Sequence, residues 1–130
     1  MSRPTILAFN LPEARLSRLR FLCMKLGTLV RPVPAEDFNQ PLAALASLTE
    51  RIAEPEAAQS FTDEMIVFCH MTNAQLNSFL KTAKQQRIPP FPLKAILTPT
   101  NAEWTPVALC AELQEERAAI LSGSQAHKAD

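Results

Sequence analysis

The chain has 130 residues, 47% hydrophobic and 20% charged, and its 13 basic and 13 acidic side chains cancel to a formal net charge of zero. That length suits one domain able to bury roughly two-thirds of its unfolded surface, and the composition excludes a disordered chain. No apolar run approaches the roughly 20 residues that span a bilayer, and the apolar run Thr5 to Phe9, met at once by Pro12 and Glu13, is too short for a secretion signal.

The charge is distributed in blocks: +5 over residues 1–34, −6 over 35–66, +4 over 67–100 and −3 over the remainder. A folded domain built from such blocks is expected to carry a basic side and an acidic side. Cys23, Cys69 and Cys110 are odd in number and far apart, with no C-x-x-C pair. They read as reduced, buried thiols of a cytoplasmic protein, with neither a disulfide framework nor a zinc site.

Taken in order, Thr5-Ile-Leu-Ala-Phe9 is a continuous apolar run, the pattern of a strand buried on both faces. Asn10, with Glu13 three residues on, is placed to cap the helix that follows. In that helix Leu16, Leu19, Cys23 and Leu26 form the apolar stripe, and Gly27 ends it. Phe21 and Met24 point away from the stripe, towards a neighbour or towards solvent. Leu29 to Pro34 is a strand confined to a sheet edge, because Pro32 and Pro34 have no N–H to give a ladder.

An Ala/Leu-rich helix is expected from about Pro41 to Ala53, then a surface loop from Glu54 to Phe61. Met65-Ile-Val-Phe-Cys69 is the second wholly apolar strand. Thr72 and Gln75 supply a capping box for the next helix, which turns Leu76, Phe79, Leu80 and Ala83 inward and Lys81, Lys84 and Arg87 outward. Pro89-Pro90 stops it. Leu93 to Leu97 is a fourth strand, broken at Thr98-Pro99. The last helix starts at Thr105, with Pro106 at its first position and Trp104 and Leu109 as a hydrophobic staple.

Strands alternating with helices predict an α/β fold: a single three-layer domain over 1–122, with a flexible tail from 123 to 130. Its sheet is four-stranded and mainly parallel, with helices on both faces. Two apolar strands at the centre and the Pro-bearing strand at an edge give the order 2-1-3-4.

In sheets of this kind ligands bind beyond the carboxyl ends of the strands, here the ends of strands one and three. The expected rim is Asn10, His70, Thr98 and Asn101, with His70 as the group able to change protonation near neutral pH. Against a catalytic role, Asn10 is already explained by a helix start and Cys69 points away from His70. Only Gly27 and Gly123 are present, so no glycine-rich loop can cradle a phosphate, and no cofactor or metal is expected.

The run Lys94-Ala-Ile-Leu-Thr-Pro-Thr-Asn101, continued by Trp104-Thr105, together with Ile6-Leu-Ala-Phe-Asn-Leu11, resembles a small uncharacterised bacterial family known as a domain of unknown function. The resemblance runs from Thr5 to about Glu116, and residues 94–105 are its most specific part. Pro106 departs from the apolar residue expected there and sharpens the helix start. The family brings no activity, so no functional residue carries over. The leading expectation is therefore a binding or regulatory module that acts through a protein partner or as a homodimer, resting on Phe21 and Met24. The second is nucleic-acid binding through Arg15, Arg18, Lys25, Lys81, Lys84 and Arg87. The third is a small-ligand or enzymatic site at the rim.

Overall fold

The computed structural model describes residues 3–51 and 60–129, with side chains described through residue 120. Four strands form one sheet in the order β2-β1-β3-β4: β1 is Thr5–Phe9, β2 Leu29–Pro32, β3 Met65–Cys69 and β4 Leu93–Ile96. The Pro-bearing β2 lies at an edge and the two wholly apolar strands lie at the centre, as their sequences require. All five residues of β1 and of β3 are buried.

The sheet is mainly parallel as expected, but its central pair corrects the expectation that strands one and three end side by side. β1 pairs parallel with β2, and β3 parallel with β4, but β1 and β3 run antiparallel, with Thr5 opposite Cys69 and Phe9 opposite Met65. The carboxyl ends of β1 and β3 therefore lie at opposite ends of the sheet.

Helix α1 (Glu13–Leu26) and helix α3 (Asn73–Gln85) cover one face. Ile6 and Ala8 of β1 and Ile66 and Phe68 of β3 pack there against Leu19, Leu22, Cys23 and Phe79. On the other face Leu7, Phe9, Met65, Val67 and Cys69 meet Leu42 and Leu45 of helix α2 (Leu42–Leu45), with Leu109 and Cys110 of helix α4 (Pro106–Ala129). Burying an aliphatic or aromatic side chain of this size contributes about 1.5–3 kcal/mol, so the two layers supply most of the favourable term.

The predicted ends hold at three helices. Gly27 caps α1 in the left-handed conformation, at φ 69°. Thr72 and Gln75 form the reciprocal capping box of α3, at 3.1 and 2.8 Å. The Ala108 N–H donates to Thr105 Oγ1 at 3.2 Å at the start of α4, where Trp104 and Leu109 share one core cluster. Elsewhere the sequence misleads. The residue before α1 is Pro12, which makes no side-chain cap, and Asn10 is engaged elsewhere. Helix α2 is one turn, followed by turns to Thr49, while the last residues assigned to it (52–53) and most of the loop from 54 to 61 lie outside the described residues. Leu80 is 42% exposed instead of packed in the core.

The fold is two copies of one unit. β1-α1-β2-α2 and β3-α3-β4-α4 follow the same path, with β1 and β3 offset by 60 residues and β2 and β4 by 64. Details repeat as well. Asn10 and His70, each just past a central strand, have φ of 60° and 59°; Gly27 and Arg87, each just past a helix, have φ of 69° and 57°. The Thr28 N–H donates to Cys23 O at 2.9 Å as the Ile88 N–H donates to Ala83 O at 3.0 Å. Val33 N–H to Ala8 O and Leu97 N–H to Phe68 O are both 2.9 Å. An antiparallel central pair is what a twofold axis between Leu7 and Val67 demands, which explains why the sheet is not parallel throughout.

Candidate functional site

The antiparallel centre divides the expected rim. Asn10 sits at the end of the sheet where β3 begins, and His70, Thr98 and Asn101 gather at the other end. A site shared by the carboxyl ends of strands one and three does not form, because those ends are a full strand length apart.

Each of the four residues has a hydrogen-bond partner. Asn10 Nδ2 donates to the carbonyls of Phe61 and Asp63, at 2.9 and 3.0 Å, and so ties the loop past β1 to the segment leading into β3. The ring of Phe61 stacks on Phe38 with centroids 4.6 Å apart, fixing the same segment from the core side. His70, the equivalent residue of the second unit, places Nε2 3.2 Å from the carbonyl of Ala46. A carbonyl only accepts, so Nε2 is the donor there. Both residues act as clamps between loops, and their left-handed backbone is a conformation that Asn and His adopt more readily than most side chains.

Thr98 and Asn101 form a reciprocal pair: the Thr98 N–H donates to Asn101 Oδ1 at 2.9 Å, and the Asn101 N–H donates to Thr98 Oγ1 at 3.2 Å. Asn101 Nδ2 also donates to Ile96 O at 3.0 Å, and the side chain is buried. Its amide thus takes the place a residue of a neighbouring parallel strand would take, accepting from residue 98 and donating to residue 96. His70 and Thr98 line one cleft of about 470 Å³ together with Met71, Leu97 and Pro99. Among the described residues no group of three or more His, Cys, Asp or Glu side chains is placed to hold a metal ion.

The three cysteines are free and buried. Burial pushes the Cys23 and Cys69 thiols up to about 12, in Cys69 against the opposing pull of Arg31, and it also raises Cys110, with Asp63 adding to the effect. Thiols held neutral in this way are poor nucleophiles.

The basic residues gather where the rim does not. Segments 13–28 and 72–91, which build the α1–α3 layer, carry Arg15, Arg18, Arg20, Lys25, Lys81, Lys84 and Arg87 against the single acid Glu13. Segments 34–51 and 98–120 on the opposite face carry seven acids against Arg51 and Arg117. A chain of zero net charge is therefore strongly two-faced.

Part of the basic set serves the fold. Arg15 pairs with Glu64, reaches the carbonyls of Pro89 and Pro90 at 3.3 Å, and lies over the ring of Phe91 at 4.5 Å. Arg18 donates to Gln86 O at 3.0 Å. Lys25 Nζ stands 4.7 Å above the ring of Phe21, and Phe21 and Met24 are 57% and 75% exposed in the same layer.

Residues 64–120 match the model of a domain of unknown function, DUF3783. The DUF3783 match coincides with the second unit, from β3 into α4, and includes the 94–105 segment that carries the sequence resemblance. No curated protein and no solved structure matches the chain. Among the described residues no helix is long and apolar enough to cross a membrane.

Proposed function

We propose that the protein is a small cytoplasmic binding module that acts through a protein partner, and that the α1–α3 layer is the surface that meets it. One observation carries the reading: the layer built from segments with seven cationic side chains also exposes two large apolar ones, Phe21 at 57% and Met24 at 75%, with Lys25 over one face of the Phe21 ring. Aromatic residues, Met and Arg are the types enriched where proteins meet, and a patch of one sign of charge steers a partner of the other. The partner is expected to be acidic around an apolar centre.

The test is affinity capture with the wild type and with the double variant Phe21→Ser/Met24→Ser, followed by reconstitution of the recovered pair from purified components. Loss of at least tenfold in affinity in the variant, at unchanged thermal stability, supports the reading. A strict monomer in light scattering that captures no partner, or a partner held equally well by the variant, defeats it.

Nucleic-acid binding is the second reading, favoured by the gathering of Arg15, Arg18, Lys25, Lys81, Lys84 and Arg87 in one layer. It ranks behind because Arg15 and Arg18 already spend donors on carbonyls and on Glu64, and Lys25 covers a face of the ring on which a base would stack. Anisotropy of a labelled single-stranded oligonucleotide at low salt decides it, since phosphate contacts are strongest there.

A further inference from the structure

The two units end in equivalent edge strands that treat the open edge differently. In a parallel ladder the N–H and C=O of alternate residues point to the same side. The bonds Val33 N–H to Ala8 O and Leu97 N–H to Phe68 O fix which residues turn their backbone groups inward, so those of Val30 and Pro32 of β2 point away from the sheet, as do those of Lys94 and Ile96 of β4. At β2, Pro32 and the following Pro34 have no N–H to offer. At β4 the matching residues, Ile96 and Thr98, both have one, and Thr98 gives its own to Asn101.

The space beside the two edges differs as well. A cleft of about 540 Å³ is lined by Leu76 and Leu80 of α3 and by Leu109 and Leu113 of α4. Those helices lie on opposite faces of the sheet, so a cleft touching both must pass around the β4 edge between them. The cleft beside β2 is lined by β2 itself, Asp37 and residues 44–51, all from one face.

We infer that the β4 edge receives an extended segment of a partner protein, added as a fifth strand parallel to β4. The direction follows from which groups are left. An antiparallel neighbour exchanges both bonds with one residue at a time, and of Lys94 and Ile96 only Lys94 has both groups open, because the C=O of Ile96 is held by Asn101. A parallel neighbour uses the C=O of Lys94 and the N–H of Ile96, the pair that Asn101 leaves open. A second copy of this chain is disfavoured for the same reason, because a twofold axis pairs β4 with itself antiparallel.

The lining defines the segment. Lys94 and Ile96 share the α3 side with Ile66 and Phe68, while Leu93 and Ala95 share the α4 side with Met65 and Val67. The α3 side offers the ammonium of Lys94, and α3 carries no acid to oppose it. On the α4 side Leu93, Leu113 and Ile120 line a second cleft of about 580 Å³, with Glu116 and Arg117 also in its wall. The segment therefore reads apolar opposite Leu93, acidic opposite Lys94, apolar opposite Ala95 and apolar opposite Ile96. Main-chain bonds give such additions their affinity and the alternate pockets their specificity.

The probe is a displayed library of random octapeptides selected against the full chain, with the selected peptide then titrated by amide NMR. Peptides with the apolar-acidic-apolar-apolar order that shift the Lys94 and Ile96 amides, and that lose at least tenfold in affinity on Ile96→Pro but not on Val30→Pro, support the inference. Pro32 shows that this position of the unit accommodates proline, so Ile96→Pro is expected to fold. Should it fail to fold, hydrogen exchange of the wild type serves instead: the Ile96 amide gains at least tenfold protection when the peptide is added. No selected peptide, peptides that bind Ile96→Pro as tightly as wild type, antiparallel addition shown by a spin label at one peptide end, or a wild-type dimer abolished by Ile96→Pro each overturn it. These readouts are confined to β4, so they stand or fall apart from the α1–α3 layer.

Discussion

Pro32 and Ile96 hold the same position of two equivalent strands at opposite edges of one sheet, with Pro32 opposite Ala8 and Ile96 opposite Phe68. Both turn their backbone groups away from the sheet, and only Ile96 has a proton to give. Proline at an exposed edge is a standard means of stopping strands from adding to one another. Arg31 next to it reinforces the edge, donating from Nη1 to Leu45 O at 2.8 Å and to Ser47 Oγ at 2.7 Å.

Pro32→Ile should therefore open the β2 edge. The native contacts of Pro32 are few because the residue is exposed, so stability is expected to change by no more than about 1 kcal/mol. The expected phenotype is association: an apparent mass in light scattering that rises with concentration in Pro32→Ile and stays flat in the wild type. Equal masses for both proteins would mean that proline is not what guards this edge.

Asn101 makes a separate prediction. Its side chain satisfies the Thr98 N–H and the Ile96 carbonyl at the end of β4. Asn101→Ala removes both bonds from a buried position, at a cost of about 1–3 kcal/mol. Asn101→Asp keeps an acceptor for Thr98 but cannot donate to Ile96, and places a carboxylate beside a carbonyl, so it should cost at least as much above pH 5. Urea denaturation measures both, and faster exchange of the Thr98 amide in Asn101→Ala locates the effect. A loss below about 0.5 kcal/mol in Asn101→Ala would show that solvent replaces the amide.

Strand order and the ends of α3 and α4 were legible because they rest on local chemistry: Pro32 at an edge, Thr72 and Gln75 in a box, Thr105 before Pro106. The direction of β3 relative to β1 was not. Thr5–Phe9 and Met65–Cys69 are buried on both faces, and such runs carry no mark of polarity. The duplication that settles the direction is nearly silent in sequence, since Asn10 matches His70, Gly27 matches Arg87 and Pro32 matches Ile96. Asn10 misled for a related reason. An Asn three residues before a Glu fits a cap, but the same amide also serves a left-handed loop residue bonded to carbonyls 51 and 53 positions away. The divided rim follows from the strand direction alone.

His70 is expected to behave as a positioning clamp like Asn10. Its φ of 59° disfavours alanine by about 1 kcal/mol, and losing the bond to Ala46 adds a comparable amount. Asparagine tolerates that backbone and holds it at Asn10. His70→Asn should thus be less destabilising than His70→Ala by about 1 kcal/mol in urea denaturation. Equal losses would contradict the equivalence of the two positions.

The buried thiols make stability depend on pH on the alkaline side. Cys23 and Cys69 are fully buried and their thiols are pushed from the ordinary 9.0 up to about 12, chiefly by burial. Between those values the unfolded chain releases these protons while the folded chain keeps them. Stability therefore depends on pH with a negative slope in that window. The contribution is complete below about pH 9 and is lost as pH rises towards 12, by up to about 1.4 kcal/mol per pH unit for each thiol. Cys23→Ala removes one such group, and its cost in lost packing does not vary with pH. Urea midpoints for wild type and Cys23→Ala at pH 8, 9, 10 and 11 isolate the effect, because lysine titration is common to both. The gap between the two proteins should be widest at pH 8 and close steadily above pH 9. A gap that stays constant across the range would show that the Cys23 thiol ionises as freely in the folded chain as in the unfolded one.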